Sequence, residues 1–133
     1  MSKPGITIQI VEDENIVSLD LKIQLKNFGF KIIPICSNGS EAIARAESER
    51  PDLIIMDVKL KGTVDGITAA VKIRKFHNVP IIFITGLPSD SVELDNNICK
   101  KSILIHKPIM NEDLMSSIWA LIGNDQPKVA HCY

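Results

Sequence analysis

The chain has little of what marks a specialised fold. Its three cysteines, Cys36, Cys99 and Cys132, are odd in number and share no CxxC spacing. That argues against a disulfide framework or a zinc site, and reads as isolated thiols in a reducing cytoplasm. Net charge is only −1 over 133 residues. Such near balance gives no electrostatic reason to expect nucleic acid or an anionic membrane as partner. No apolar run approaches bilayer length, and the opening "MSKPGITIQI" lacks the pattern of a signal peptide. Repeats and low-complexity segments are missing, and nothing in these residues suggests a second domain. The expectation is one domain over residues 1–123, then "NDQPKVAHCY" (124–133) as a loose tail or the start of a linker.

What is present is alternation. "ITIQIV" (6–11), "KIIPI" (31–35), "LIIM" (53–56), "PIIFI" (80–84) and "ILI" (103–105) are short apolar runs rich in Ile and Val, and each predicts a strand. Between the first two, Val17, Leu21, Leu25 and Phe28 form a helical stripe that Gly29 stops. "SEAIARAESER" and "DGITAAVKIRKFHN" predict the next helices. "SDSVELDNNICKK" predicts a marginal one. "NEDLMSSIWALIG" closes the series, with Asn111 as N-cap, a core stripe of Leu114, Ile118, Leu121 and Ile122, and Trp119 at its edge. Strict alternation with nearly continuous apolar strands implies a parallel α/β sheet covered by helices on both faces. Ligands in such sheets bind beyond the carboxyl ends of the strands.

Those ends carry chemistry. The first strand runs into Glu12, Asp13 and Glu14; the third ends in Asp57, the fourth in Thr85 and the fifth in Lys107. A carboxylate directly on the end of a buried strand is part desolvated, which is costly unless a cation or a reaction compensates. Neighbouring carboxylates repel unless neutralised, and hard oxygens of this kind suit Mg²⁺. An amine and a hydroxyl opposite suit phosphate oxygens. Together these are the parts for phosphoryl transfer to a carboxylate nucleophile.

"VEDE", "PDLIIMD", "FITG" and "HKPI", in that order, resemble the receiver domain of two-component response regulators, over about residues 6–123. Thr85 and Lys107 lie 107 − 85 = 22 residues apart, a separation familiar in that family. The resemblance implies a flavodoxin-like, doubly wound (βα)5 sheet of order 2-1-3-4-5. It implies that Asp57 accepts a phosphoryl group from a phosphohistidine on a sensor histidine kinase or phosphotransfer protein. Asp13, Asp57 and the backbone carbonyl of Lys59 would bind Mg²⁺ directly, with Glu12 acting through a metal-bound water. Lys107 would pair with one phosphoryl oxygen, and Thr85 would turn inward to another. A cis Lys107–Pro108 bond is implied as well. Output would pass through contacts with an effector protein, in the cytoplasm, with no nucleic acid or membrane as partner.

Two features depart from the family pattern. Leu104 stands where relatives usually carry Tyr or Phe, and "VKLKGTVDGI" after Asp57 lacks a frequent Pro and is about one residue longer. Lys59, next but one to Asp57, would screen the phosphoryl group or hinder water. His106 reads as surface or packing. A degenerate receiver, binding partners without phosphorylation, is the alternative that Leu104 keeps open. A true enzyme on a similar fold is disfavoured. Aspartyl phosphatases need D-x-D where this chain has Glu12-Asp13-Glu14, and nucleotide binding needs a Gly- or Ser/Thr-rich loop there.

Overall fold

The computed structural model describes residues 5–87 and 92–123. Five strands and five helices alternate: β1 (Thr7–Val11), α1 (Asn15–Asn27), β2 (Lys31–Ile32), α2 (Gly39–Glu49), β3 (Leu53–Asp57), α3 (Gly66–Arg74), β4 (Ile81–Thr85), α4 (Asn96–Cys99), β5 (Ser102–His106) and α5 (Asn111–Ile122). All pairings are parallel, in the order β2-β1-β3-β4-β5. The expected doubly wound sheet is therefore present. The tail at 124–133, which includes Cys132, lies outside the described residues, as does the N-terminal "MSKP".

The apolar runs explain why the strands sit inside. Because side chains alternate along a strand, each run feeds two cores at once. Ile54, Met56, Ile81, Phe83 and Leu104 meet α2, α3 and α4 on one face. Ile8, Ile10, Leu53, Ile55, Ile82, Ile84, Ile103 and Ile105 meet α1 and α5 on the other. Every residue of β3 and of β4 is buried, the terminal Asp57 and Thr85 included.

Several boundaries differ from the sequence reading, each for a local reason. β2 ends at Ile32 rather than Ile35. It is an edge strand, and Pro34 cannot donate to a ladder, so pairing resumes only as an isolated bridge between Val11 and Cys36. The N-cap of α5 is Met110, with extended φ/ψ and no side-chain cap, so Asn111 is already helical. In the α1 stripe Phe28 is exposed and Phe30 takes its place in the core, although Gly29, at φ +96°, stops the helix as expected. In α5, Leu114 and Ile118 are buried while Leu121 and Ile122 are only half-buried. Trp119 packs at the rim against Phe30, with ring centroids 5.8 Å apart. The marginal helix shrinks to one turn over 96–99, capped by Asp95; residues 89–91 of that segment lie outside the described residues. Cys36 is a buried free thiol, but Cys99 is disulfide-bonded, which corrects the reading of isolated thiols.

One side chain fastens the amino-terminal ends of β4 and β5. Arg74, the last residue of α3, donates from Nε to the Val79 carbonyl at 2.9 Å. Its Nη1 reaches the carbonyls of Ile98 and Lys100 at 3.1 and 2.7 Å, and its Nη2 the Lys101 carbonyl and Ser102 Oγ at 2.9 and 3.1 Å. The fixed fork of donors suits this, because several carbonyls converge where α4 ends.

Candidate functional site

The site is assembled at the opposite rim, where β1, β3, β4 and β5 end. Parallel pairing sets the levels of the strand ends: Val11 lies beside Met56, Asp57 beside Ile84, and Thr85 beside His106. Residues just beyond each strand therefore converge without any help from sequence proximity. Glu12 and Asp57 are almost fully buried, and Asp13 is half-buried.

Lys107 organises the cluster. Its Nζ lies 2.7 Å from Glu14 Oε1, 3.3 Å from Asp57 Oδ2 and 3.5 Å from Glu12 Oε1. Burial alone would lower the lysine pKa. The hydrogen bond to Glu14 and the charges of Asp57 and Glu12 outweigh it and hold the amine above its usual range. The peptide bond between Lys107 and Pro108 is cis, as the resemblance implied. The loop after Asp57 folds back over the acids. Lys59 N–H donates to Asp57 Oδ1 at 3.1 Å, and Lys61 N–H donates to Asp13 Oδ2 at 3.2 Å. Thr85 is buried, its hydroxyl accepting from the Leu87 N–H at 2.9 Å. A cleft of about 440 Å³ opens above Asp57, walled by Asp13, Glu14, Lys59, Leu60, Lys61, Gly86, Leu87 and Lys107.

The donor set fits a hard dication. Oxygens of Glu12, Asp13 and Asp57 all lie within 4.8 Å of one another. The buried Glu12 Oε1 has no hydrogen-bond partner, only the charge of Lys107 at 3.5 Å. Carboxylates of this number and spacing are what Mg²⁺ takes, with waters completing its shell.

Burial raises the Glu12 carboxyl to about 7, opposed by the Glu14 N–H and by Lys107 and reinforced by Asp57. A carboxyl held above its unfolded value of 4.5 favours the protonated form on folding, so the domain gains stability below that value and loses it as pH rises through about 7. In EDTA the melting temperature should therefore fall between pH 4.5 and 7, the loss reaching about 3 kcal/mol at most. Mg²⁺ binding should show the reverse slope, weakening below pH 7, because the cation needs ionised carboxylates. Parallel melts with EDTA and with Mg²⁺ check both; two curves of the same slope would refute the assignment.

All the residues singled out by sequence are brought together here: Glu12, Asp13, Asp57, Lys59 and Lys107 around the cleft, with Thr85 on the adjoining strand end. Leu104 is buried on the α4 side of the sheet, while His106 is exposed. Two contributors escaped the sequence reading. Glu14 was grouped with its acidic neighbours but given no role, although it makes the shortest contact to Lys107. Gly66, the first residue of α3, packs where a Cβ would stand 2.0 Å from the Asp57 carbonyl oxygen. Only the acid run "EDE" could have pointed to the first, and nothing local pointed to the second.

Known proteins resemble the chain in the same terms. Residues 8–119 match the family profile of the response regulator receiver domain. The transcriptional regulatory protein PdtaR of Mycobacterium tuberculosis is 36% identical over 112 residues, which are 84% of this chain and 54% of PdtaR. The chain thus spans about half the length of that relative. A response regulator receiver protein from Sinorhizobium medicae superposes with TM-score 0.76 at 27% identity, covering 90% of this chain and 95% of that one. The receiver domain of sensor histidine kinase PA1611 from Pseudomonas aeruginosa, solved with a magnesium ion coordinated in its active-site cleft, gives TM-score 0.73 at 28% identity, covering 90% and 99%. On the family match, the strand order and the arrangement of its rim, this chain belongs to the response regulator receiver domains of two-component signalling.

Proposed function

We propose that Asp57 is the phosphoacceptor of a working phosphorelay receiver, which takes its group from a phosphohistidine and signals by a change of shape. The observation that carries this reading is the contact of Lys107 Nζ with Asp57 Oδ2, made inside a buried acid cluster that lacks full neutralisation. Receiver domains are regulatory rather than conventional enzymes, and they act with histidine kinases and effector proteins.

In this reading an Asp57 oxygen attacks phosphorus, and the P–N bond of the donor breaks with its electron pair leaving on the imidazole nitrogen. Asp13, Asp57 and the Lys59 carbonyl would hold Mg²⁺, with Glu12 acting through water. The cation would supply charge neutralisation for the incoming phosphoryl oxygens. Lys107 stabilises the same charge from the other side. Thr85 gains a reason to leave Leu87 N–H only once a phosphoryl oxygen is in reach, which biases the loops after β4 and β5 between two arrangements. Leu104 is packed inward already, so the switch is read through Thr85 and Lys107 without an aromatic partner.

The donor protein needs a landing surface, and α1 offers one. Ile16, Leu19 and Ile23 are 84%, 55% and 53% exposed on a single face of the helix, and Ile16 sits in the turn nearest the acids. Large apolar side chains clustered in water beside a site mark a protein contact. No helix among the described residues is long and apolar enough to cross a membrane.

Intact mass after incubation with phosphoramidate and Mg²⁺ tests the reading. Gain of one phosphoryl group, removed by hydroxylamine as acyl phosphates are, is the expected result. No gain from phosphoramidate or from a phosphohistidine donor, with the fold intact, would favour a phosphorylation-independent binding module.

A further inference from the structure

Glu14 has an unusual position for an N-cap. It occupies the cap of α1 with extended backbone, its carbonyl accepting the Ser18 N–H at 3.0 Å, yet its side chain makes no cap bond. The N-cap carboxylate ordinarily turns back to the first N–H groups of its helix. Here it crosses to β5 instead and takes Lys107 at 2.7 Å, a shorter contact than either buried acid makes. Its own backbone is fixed from below, since the Glu14 N–H donates to Glu12 Oε2 at 3.0 Å. The exposed member of the three acids thus makes the shortest contact with the lysine that is paired to Asp57.

We infer that Glu14 is a positioning residue, a latch that holds Lys107 in the resting state and thereby slows phosphoryl uptake at Asp57. The inference rests on Asp57 being the phosphoacceptor. An ammonium carries three donors, so it can touch several acids. Its single positive charge is nonetheless shared, and an ion pair made only in the ground state raises the barrier to any step that needs the lysine elsewhere. Glu14 stabilises the resting arrangement and must yield part of Lys107 to the phosphoryl oxygen. Its neighbours Glu12 and Asp57 are buried and stay in place, so the exposed carboxylate is the one free to withdraw.

Glu14→Gln should take up a phosphoryl group from phosphoramidate roughly three- to tenfold faster than the parent, followed by intact mass at saturating Mg²⁺. Glu14→Asp separates the latch from simple repulsion of an anionic donor. It keeps the charge, but one carbon shorter it reverts to capping α1, so it should be fast like Gln. In a Lys107→Met background, Glu14→Gln should have no effect. A slow Glu14→Asp, or an equal gain with and without Lys107, would overturn the latch while leaving Asp57 as acceptor. A second readout needs no phosphorylation: the Lys107 ammonium should give an NMR signal in the resting protein that Glu14→Gln broadens away. If the parent takes up no phosphoryl group, the functional reading fails, and an unchanged signal would remove the latch as well.

Discussion

Asp57→Asn should take up no phosphoryl group from any donor, yet melt within about 5 °C of the parent. Chemistry and fold separate because of what surrounds the residue. The amide oxygen can still accept the Lys59 N–H that now reaches Asp57 Oδ1 at 3.1 Å, so the loop over the site keeps its anchor. Lys107 loses one acid at 3.3 Å but retains Glu14 at 2.7 Å and Glu12 at 3.5 Å. The lost attraction is offset by relief of repulsion, since Asp57 is among the groups that push the Glu12 carboxyl upward. The net change should stay within about 1 kcal/mol. Mg²⁺ affinity should fall roughly tenfold or more, because one of three carboxylates is gone. Intact mass, a thermal melt and a magnesium titration on the same preparation give all three numbers. Uptake by the variant would move the nucleophile elsewhere.

Gly66→Ala should be the most damaging single methyl group in the domain. An ideal Cβ at this position meets the Asp57 carbonyl oxygen at 2.0 Å, the Asp57 carbonyl carbon at 2.9 Å and Met56 Cγ at 3.0 Å. The two nearest of those three atoms are backbone at the end of a buried strand and cannot yield as the Met56 side chain could. The glycine is required for space rather than for a left-handed φ. Its N–H donates to the Val58 carbonyl at 2.9 Å, and Asp65 before it caps α3 through Thr68 N–H at 2.8 Å. The start of α3 is therefore pulled against β3 from both sides of the missing side chain. Overpacking at such a point costs about 3 kcal/mol or more, or roughly 10 °C in melting temperature. Phosphoryl uptake should drop with it, since any relief moves Asp57. Gly62→Ala is the control. It has open space around its Cβ and only its φ of +96° to oppose it, at about 1 kcal/mol. Equal losses in the two variants would mean that the contact is not what matters.

Much of this was legible in the chain before any coordinates. The β-branched runs that make β1, β3, β4 and β5 are buried on both faces, so their hydrophobicity is continuous and hard to miss. Because parallel strands pair in near-equal register, a reader who finds the ends of the runs has also found the rim, and Glu12, Asp13, Asp57 and Lys107 came with it. Features set by one neighbour in space were not legible. β2 stops at Ile32 because it is an edge and Pro34 follows, and a propensity reading of "KIIPI" sees neither fact together. Asn111 looks like a better cap than Met110, but the cap is decided by where the chain turns after Pro108, not by which side chain is available. Phe28 and Phe30 differ by two residues around Gly29, and only the packing of α1 on the sheet chooses which is buried. The direction in which Glu14 points depends on a lysine 93 positions away.

The Arg74 clamp gives the domain two ends of different chemical temper. Burial lowers its pKa from the ordinary arginine value, but a guanidinium remains charged throughout the range in which proteins fold. Its partners are four carbonyls and one hydroxyl, none of which titrates. At the other end of the same strands, three carboxylates share one ammonium, a cluster whose charge balance a divalent ion would alter. Chelation of the cation, or in its absence a rise in pH through about 7, should therefore loosen the sheet from its carboxyl-terminal rim while the opposite edge stays fastened. In amide hydrogen exchange, protection of residues 98–102 should be nearly flat from pH 5 to 8 after correction for intrinsic rates, a fixed point against which movement of the rim can be measured.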